Sequence, residues 1–218
     1  MNTPWKSSRS KYGMLLIALL GIACLAGIAA HAVSVGRRQS ALVDAISQHD
    51  FGGVQRQLES GIDPNFYIYP PRDYSFRRLF SHMVCGPLPI RNTPLILAAT
   101  EGDDRIVQRL LSYGADINAQ ERYMKTTALL AAIYAKHEST AELLFQNHAD
   151  PNIGDFNHYT ATITAVQSGK PAMLKLVFEH HAFTMAKDVD GMNALDWAKY
   201  CKNQNMIRLV EKYARQAE

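Results

Sequence analysis

The 218-residue chain reads as all-α: a solenoid of helix-turn-helix units behind a single N-terminal transmembrane helix. Three observations predict this. Residues 13–30 form an 18-residue stretch without a polar side chain, short segments of the body recur every 33 or 34 residues, and the charge of the body cancels.

The apolar stretch, GMLLIALLGIACLAGIAA, spans about 27 Å as a helix, close to the roughly 30 Å core of a bilayer. Residues 1–12 form a basic tail, 13–36 the predicted transmembrane helix, and Arg37-Arg38 closes the span as an interfacial anchor. A second reading stays open, because Ala30-His31-Ala32 is an A-x-A pattern that a signal peptidase cuts and a basic region precedes it. The apolar run is longer than the ~7–15 residues usual for a signal-peptide core, which favours an uncleaved anchor. With Lys6, Arg9 and Lys11 before the span and two arginines after it, the positive-inside rule places the tail in the cytoplasm and the body outside it. In a bacterial cell the expected location is the inner (plasma) membrane, single-pass, with the body in the periplasm. The alternative is a soluble periplasmic protein cut near Ala32.

The same three basic residues account for the whole formal charge of +3: of 23 Lys and Arg the other 20 are matched by 20 Asp and Glu. A neutral body without a Lys/Arg stripe is a poor match for nucleic acid, whose binding runs on phosphate neutralisation. Cys24, Cys85 and Cys201 are too few and too scattered for a disulfide framework or a zinc site.

The repeat emerges on self-comparison. Segment 93–99, TPLILAA, leads to GADIN at 114–118. Thirty-four residues on, 127–132 (TALLAA) leads to HADPN at 148–152, and 160–165 and 193–198 follow at steps of 33. Earlier, 41–45 (ALVDA) leads to GIDPN at 61–65, which is 53 residues before the matching GADIN and so one period plus about 20. Thr93 is an expected N-cap with Pro94 at the first helical position. Ala98-Ala99 and Ala131-Ala132 clear a helix face for close approach, Ile106, Val107, Leu110 and Leu111 recur as a buried stripe, and Gly114 stops that helix in a left-handed conformation. Such pairs bury their apolar face only by stacking on one another.

These residues resemble ankyrin repeats, over about residues 39 to 215. The family's usual His after T-P-L is replaced by Ile96, Leu130, Ile163 and Asp196, and Gly gives way to His148 and His181 at two helix ends. The partition is repeat 1 at 39–66, an insertion loop at 67–91, repeat 2 at 92–125, repeat 3 at 126–158, repeat 4 at 159–191, and repeat 5 with a polar C-terminal cap at 192–218. The resemblance implies a protein-binding surface, concave and lined by first-helix faces and by the tips between repeats. It thereby implies Arg122, Tyr123, Phe156, His158 and Tyr159 as contacts.

The insertion departs from the repeat. Between Phe66 and Phe80 it carries six aromatics, Tyr67, Tyr69, Tyr74 and Phe76 among them, and three arginines, Arg72, Arg77 and Arg78. Tyr and Arg in this density are typical of protein-protein hot spots. Two other readings stay open: the aromatics cover the apolar flank of repeat 2, or they meet the lipid headgroup zone.

No phosphate loop, dinucleotide fingerprint, H-E-x-x-H or nucleophile elbow occurs. Glu179, His180 and His181 lack the spacing of three or four that a helical metal pair needs. Glu101, Asp103 and Asp104 are expected at the start of a second helix, opposing its dipole, and His82 with Cys85 is the sole nucleophile-base candidate, in the insertion. No catalytic residue, metal or cofactor is therefore expected. The sequence points to a membrane-tethered, non-enzymatic module whose partner is another protein, a toxin or effector that it neutralises as an immunity protein. The alternative is an envelope scaffold or stress-related structural protein.

Overall fold

A computed structural model describes residues 34–68, 92–180, 182–183 and 185–215. The chain divides into Met1–Ser40 and Ala41–Glu218. Of the first unit, residues 34–40 are described and are helical. The predicted membrane span lies outside the described residues except for 34–36, and among the described residues no helix is long and apolar enough to cross a membrane.

The described part of Ala41–Glu218 is helical and contains no strand. Helices follow in pairs: α1 (41–47) and α2 (Phe51–Glu59), α3 (Pro94–Glu101) and α4 (Asp104–Ser112), α5 (Ala128–Ala135) and α6 (Glu138–Gln146), α7 (Ala161–Ser168) and α8 (Pro171–Glu179), α9 (Ala194–Tyr200) and α10 (Gln204–Ala214). Consistent with an ankyrin solenoid, α3, α5, α7 and α9 stack in succession, and so do α2, α4, α6, α8 and α10. Among the described residues one apolar core runs from Leu42 to Val210.

Side-chain caps set the starts of α2, α3, α4, α5, α9 and α10. Thr93 and Thr127 accept from the amides of Ile96 and Leu130, capping α3 and α5, and Pro94 opens α3 where its missing N–H costs nothing. Asn193 and Asp196 form a reciprocal capping box on α9. Asp50, Asp103 and Asn203 cap three of the second helices by accepting from the amides of Gly53, Ile106 and Met206. Glu101 departs from its expected place: it is the last residue of α3, at the unfavourable end of the dipole, and it lies 4.0 Å from His49. Asp103 and Asp104 do start α4.

Between the helices of each pair stands one residue with positive φ: His49 at 54°, Gly102 at 73°, Lys136 at 66°, Gly169 at 72° and Lys202 at 53°. A second such row, Gly61, Gly114 and His148, follows the second helices. The alanine pairs are buried, Ala98, Ala99 and Ala132 at 0%, which lets α3 and α5 pack backbone to backbone. Ile106, Val107 and Leu110 are fully buried on α4, while Leu111 is half-buried against the same core. Each such aliphatic residue contributes roughly 1.5–3 kcal/mol.

Asparagines stitch neighbouring repeats. Asn65 Oδ1 accepts from the Asp116 amide at 2.7 Å, Asn118 Oδ1 from Asp150 at 3.0 Å, and Asn152 Oδ1 from Phe183 at 2.8 Å. The Asn65 bond crosses from the first pair to the second, spanning the insertion in sequence. Its two edges also meet, since the Ile68 amide donates to the Asn92 carbonyl at 2.8 Å.

Candidate partner-binding face

The tips between repeats are built on buried carboxylates. Glu121, Asp155 and Asp188, each under 9% exposed, recur at steps of 34 and 33 residues. Asp155 Oδ1 accepts from the amides of Asn157 and Tyr159 at 2.8 and 2.9 Å, and Asp188 Oδ1 from those of Asp190 and Met192 at 2.9 Å each. The other oxygen of Asp188 receives the Trp197 indole N–H at 2.7 Å. Burial pushes the Asp188 carboxyl up. The bonds from Trp197 and from backbone amides of its own tip outweigh this and hold it below its ordinary value. Glu121 takes the Tyr123 amide on Oε2 and leaves Oε1 buried without a partner among the described residues.

The folded tips bond to one another, Phe156 N–H to the Met124 carbonyl at 2.7 Å and Val189 N–H to the Asn157 carbonyl at 3.1 Å. Fixed this way, the tips hold apolar side chains in water: Phe156 is 65% exposed, Val189 56% and Met124 51%.

Behind the tips, aromatic residues line the first helices. Tyr134 on α5, Gln167 on α7 and Tyr200 on α9 occupy equivalent positions 33 residues apart. The Tyr134 hydroxyl donates to Gln167 Oε1 at 3.5 Å. Tyr159 meets the Trp197 ring edge-to-face at 5.5 Å, and Trp197 meets Tyr200 likewise at 5.6 Å. Tyr134 is 55% exposed and Tyr200 72%. Burial first, then the carboxylates of Asp188, Asp190 and Asp155, raises the Tyr159 phenol, against a lowering bond with Gln167. For Tyr134 burial comes first, followed by Asp155 and Tyr159.

The residues anticipated from sequence divide three ways. Phe156, His158 and Tyr159 share one tip beside this aromatic row, with His158 exposed and in a left-handed conformation. Arg122 is exposed and Tyr123 half-buried on the preceding tip, and the exposed Tyr67 donates to the Gln120 carbonyl at 3.4 Å, which sets it against that same tip. Tyr69, Arg72, Tyr74, Phe76, Arg77 and Arg78 lie outside the described residues, as do His82 and Cys85. Sequence reasoning missed Tyr134, Trp197 and Tyr200. Their signal was present, since Tyr134 and Tyr200 lie two repeat steps apart at one helix position.

Among the described residues, no group of three His, Cys, Asp or Glu is placed to hold a metal. His180 stacks on Phe145 at 4.3 Å and its Nε2 lies 3.5 Å from Glu142. Cys201 is exposed and free.

Residues 76–155 match the family model described as ankyrin repeats (3 copies). A protein of Treponema pallidum (strain Nichols) described as ankyrin repeat-containing is 30% identical over 121 residues, 55% of this chain and 41% of that protein. Inversin of Gallus gallus is 28% identical over 116 residues, 53% of this chain and 10% of inversin. The mitochondrial disaggregase of Bos taurus is 40% identical over 65 residues, 30% of this chain and 10% of the relative. The chain thus spans less than half the length of these relatives. Ankyrin repeats and, with them, a protein-protein interaction module are what the fold and these likenesses support together.

Proposed function

We propose that this protein is a non-enzymatic, membrane-tethered binding module that displays its repeats outside the cytoplasm and holds a partner protein on the first-helix face. The observation that carries this is the aromatic row made by exposed Tyr134 and Tyr200 with half-buried Trp197 against Tyr200, ordered by repeat geometry beside Phe156 and Tyr159. Large aromatics at regular intervals on a preformed surface supply contact area at little entropic cost. The apolar run 13–30 and the charges flanking it support a tether with the body in the periplasm. The insertion, whose edges are joined at Ile68 and Asn92, adds a second recognition element through Tyr69 and Arg77.

The partner in this reading is a toxin or effector that the protein neutralises. Affinity capture of the full chain from its native membranes tests the face. Tyr134→Leu/Tyr200→Leu loses a partner that the wild type retains, and equal recovery contradicts the proposal. Protease added to spheroplasts digests the repeats, and their protection overturns the orientation. Deleting the gene sensitises cells to neighbours carrying the toxin, and unchanged survival removes the immunity role.

A further inference from the structure

The body is neutral as a whole, yet its charge is unevenly spread, and a Lys/Arg stripe that the overall count conceals stands on the last repeat. Residues 199–215 hold five cations, Lys199, Lys202, Arg208, Lys212 and Arg215, against Glu211 alone. The corresponding stretches of the other repeats, 46–62, 99–115, 133–149 and 166–182, hold one Lys or Arg against two carboxylates, two against three, one against two and two against one. All five cations are exposed, and among the described residues none of them is in an ion pair. Lys212 lies 5.6 Å from the centre of the Tyr213 ring. The surrounding elements do not cancel the excess. α8, packed on α10, adds Lys175 against Glu179, the tip before α9 adds Lys187 against Asp188 and Asp190, and α9 adds Asp196. Counted together, seven cations stand against five carboxylates, of which Asp188 is taken by the Trp197 indole and Asp196 by the Asn193 amide.

A terminal cap needs a polar outer face, and side chains of either sign supply it. Five cations exceed that need. Arg208, Lys212 and Arg215 lie at i, i+4 and i+7, so they share the face of α10 turned away from Met206 and Val210 in the core. That face shows Gln204 and Asn205 beside the cations, while Ile207, Leu209 and Tyr213 pack against the core. A protein-protein site is built around an aromatic or apolar anchor, which this face lacks. It suits a flat surface that offers negative charge without pockets. We propose that the last repeat docks on the anionic headgroups of a phospholipid bilayer through Arg208, Lys212 and Arg215, aided by Lys202 in the turn before α10. The proposal rests on the tether reading, because a chain held by residues 13–30 presents even a weak cationic face to lipid at high effective concentration.

The test uses the full chain with Cys24→Ser, Cys85→Ser, Cys201→Ser and Gln204→Cys, labelled with a fluorophore at 204, one turn before Arg208. The labelled chain is reconstituted with vesicles that contain headgroup spin-labelled lipid, of phosphatidylcholine alone or with about a third phosphatidylglycerol. Quenching is about twofold or more stronger on the anionic vesicles, and salt at about 0.5 M removes the difference. Arg208→Gln/Lys212→Gln/Arg215→Gln removes it too, with thermal melting unchanged. Equal quenching on both kinds of vesicle, or a difference that survives the triple variant, overturns the proposal. Flotation of the same samples separates it from the tether. A chain that floats with both kinds of vesicle and is quenched equally overturns the docking alone. Flotation with anionic vesicles only, lost in the triple variant, supports the docking and removes the tether, and flotation with neither overturns both. If the anionic vesicles leave the label unchanged while a polyglutamate peptide or duplex DNA shifts its emission through the same three cations, the face takes protein or nucleic acid and the lipid assignment is overturned.

Discussion

Gly102 and Gly169 occupy the same place in successive helix pairs, both with positive φ, yet their surroundings differ. A Cβ at Gly102 meets His137 Nδ1 at 2.5 Å, while one at Gly169 meets nothing within 4 Å. Gly169→Ala should then cost only the left-handed penalty of about 1–2 kcal/mol. Gly102→Ala should cost clearly more, because His137 must also give up its 3.1 Å contact with the Thr100 carbonyl. Urea midpoints of the two variants measure the difference, and equal losses contradict the account. Lys136 holds the equivalent position at φ 66°, so Lys136→Gly should raise stability by about 0.5–1 kcal/mol.

Asp188 is the other residue whose setting makes a prediction. Its folded-state pKa lies below the unfolded one, so its contribution is fully present above the unfolded value near 3.8 and is lost as pH falls through the folded value beneath it. The loss of stability between pH 6 and pH 3 should be smaller in Asp188→Asn than in the wild type, and an identical loss contradicts the assignment. Asp188→Ala leaves the Trp197 N–H and two amides without their acceptor and should cost about 2–3 kcal/mol at neutral pH.

At the scale of the element, the three threonines that open α3, α5 and α7 look alike in sequence and differ in the fold. Thr93 and Thr127 make their caps, but Thr160 makes none, and its buried Oγ1 has no partner among the described residues. Thr93→Ala and Thr127→Ala should each cost about 1 kcal/mol. Thr160→Val removes an unsatisfied hydroxyl while keeping the shape, and its melting temperature should match or exceed that of the wild type. A large loss at Thr160 contradicts the contrast. The helices themselves were legible because their signals are local. Thr93 before Pro94, the alanine pairs, the Ile106, Val107 and Leu110 stripe and Gly114 after α4 are each fixed within one repeat. Misplacing Glu101 came from a boundary that only Gly102 marks: the carboxylates around it look continuous in sequence, while the left-handed residue separates two helices.

At the scale of the whole molecule, what was hard to read is what depends on several repeats at once. The resemblance to ankyrin repeats pointed to Phe156 and Tyr159, since they fall on the tips between repeats. Tyr134, Trp197 and Tyr200 sit inside helices where an aromatic reads as core, and only the stacking of α5, α7 and α9 brings exposed Tyr134 and Tyr200 and half-buried Trp197 into one row. The asparagine bonds are equally non-local. Asn118→Ala removes the link to the Asp150 amide and should cost about 1–2 kcal/mol while leaving each repeat's own caps in place. Because neighbouring repeats support one another directly, that loss should appear as one cooperative transition at lower urea, and two separate transitions contradict it.

The claim on which the rest depends is that the partner meets the aromatic row. Photo-crosslinking from single positions in living cells reads this directly, with the reactive residue placed at 134 or 200 on the first helices, or at 108 or 175 on α4 and α8. The account predicts one discrete adduct from 134 and 200, of the same mass, and none from 108 or 175. Adducts confined to the second helices, with none from 134 or 200, contradict it.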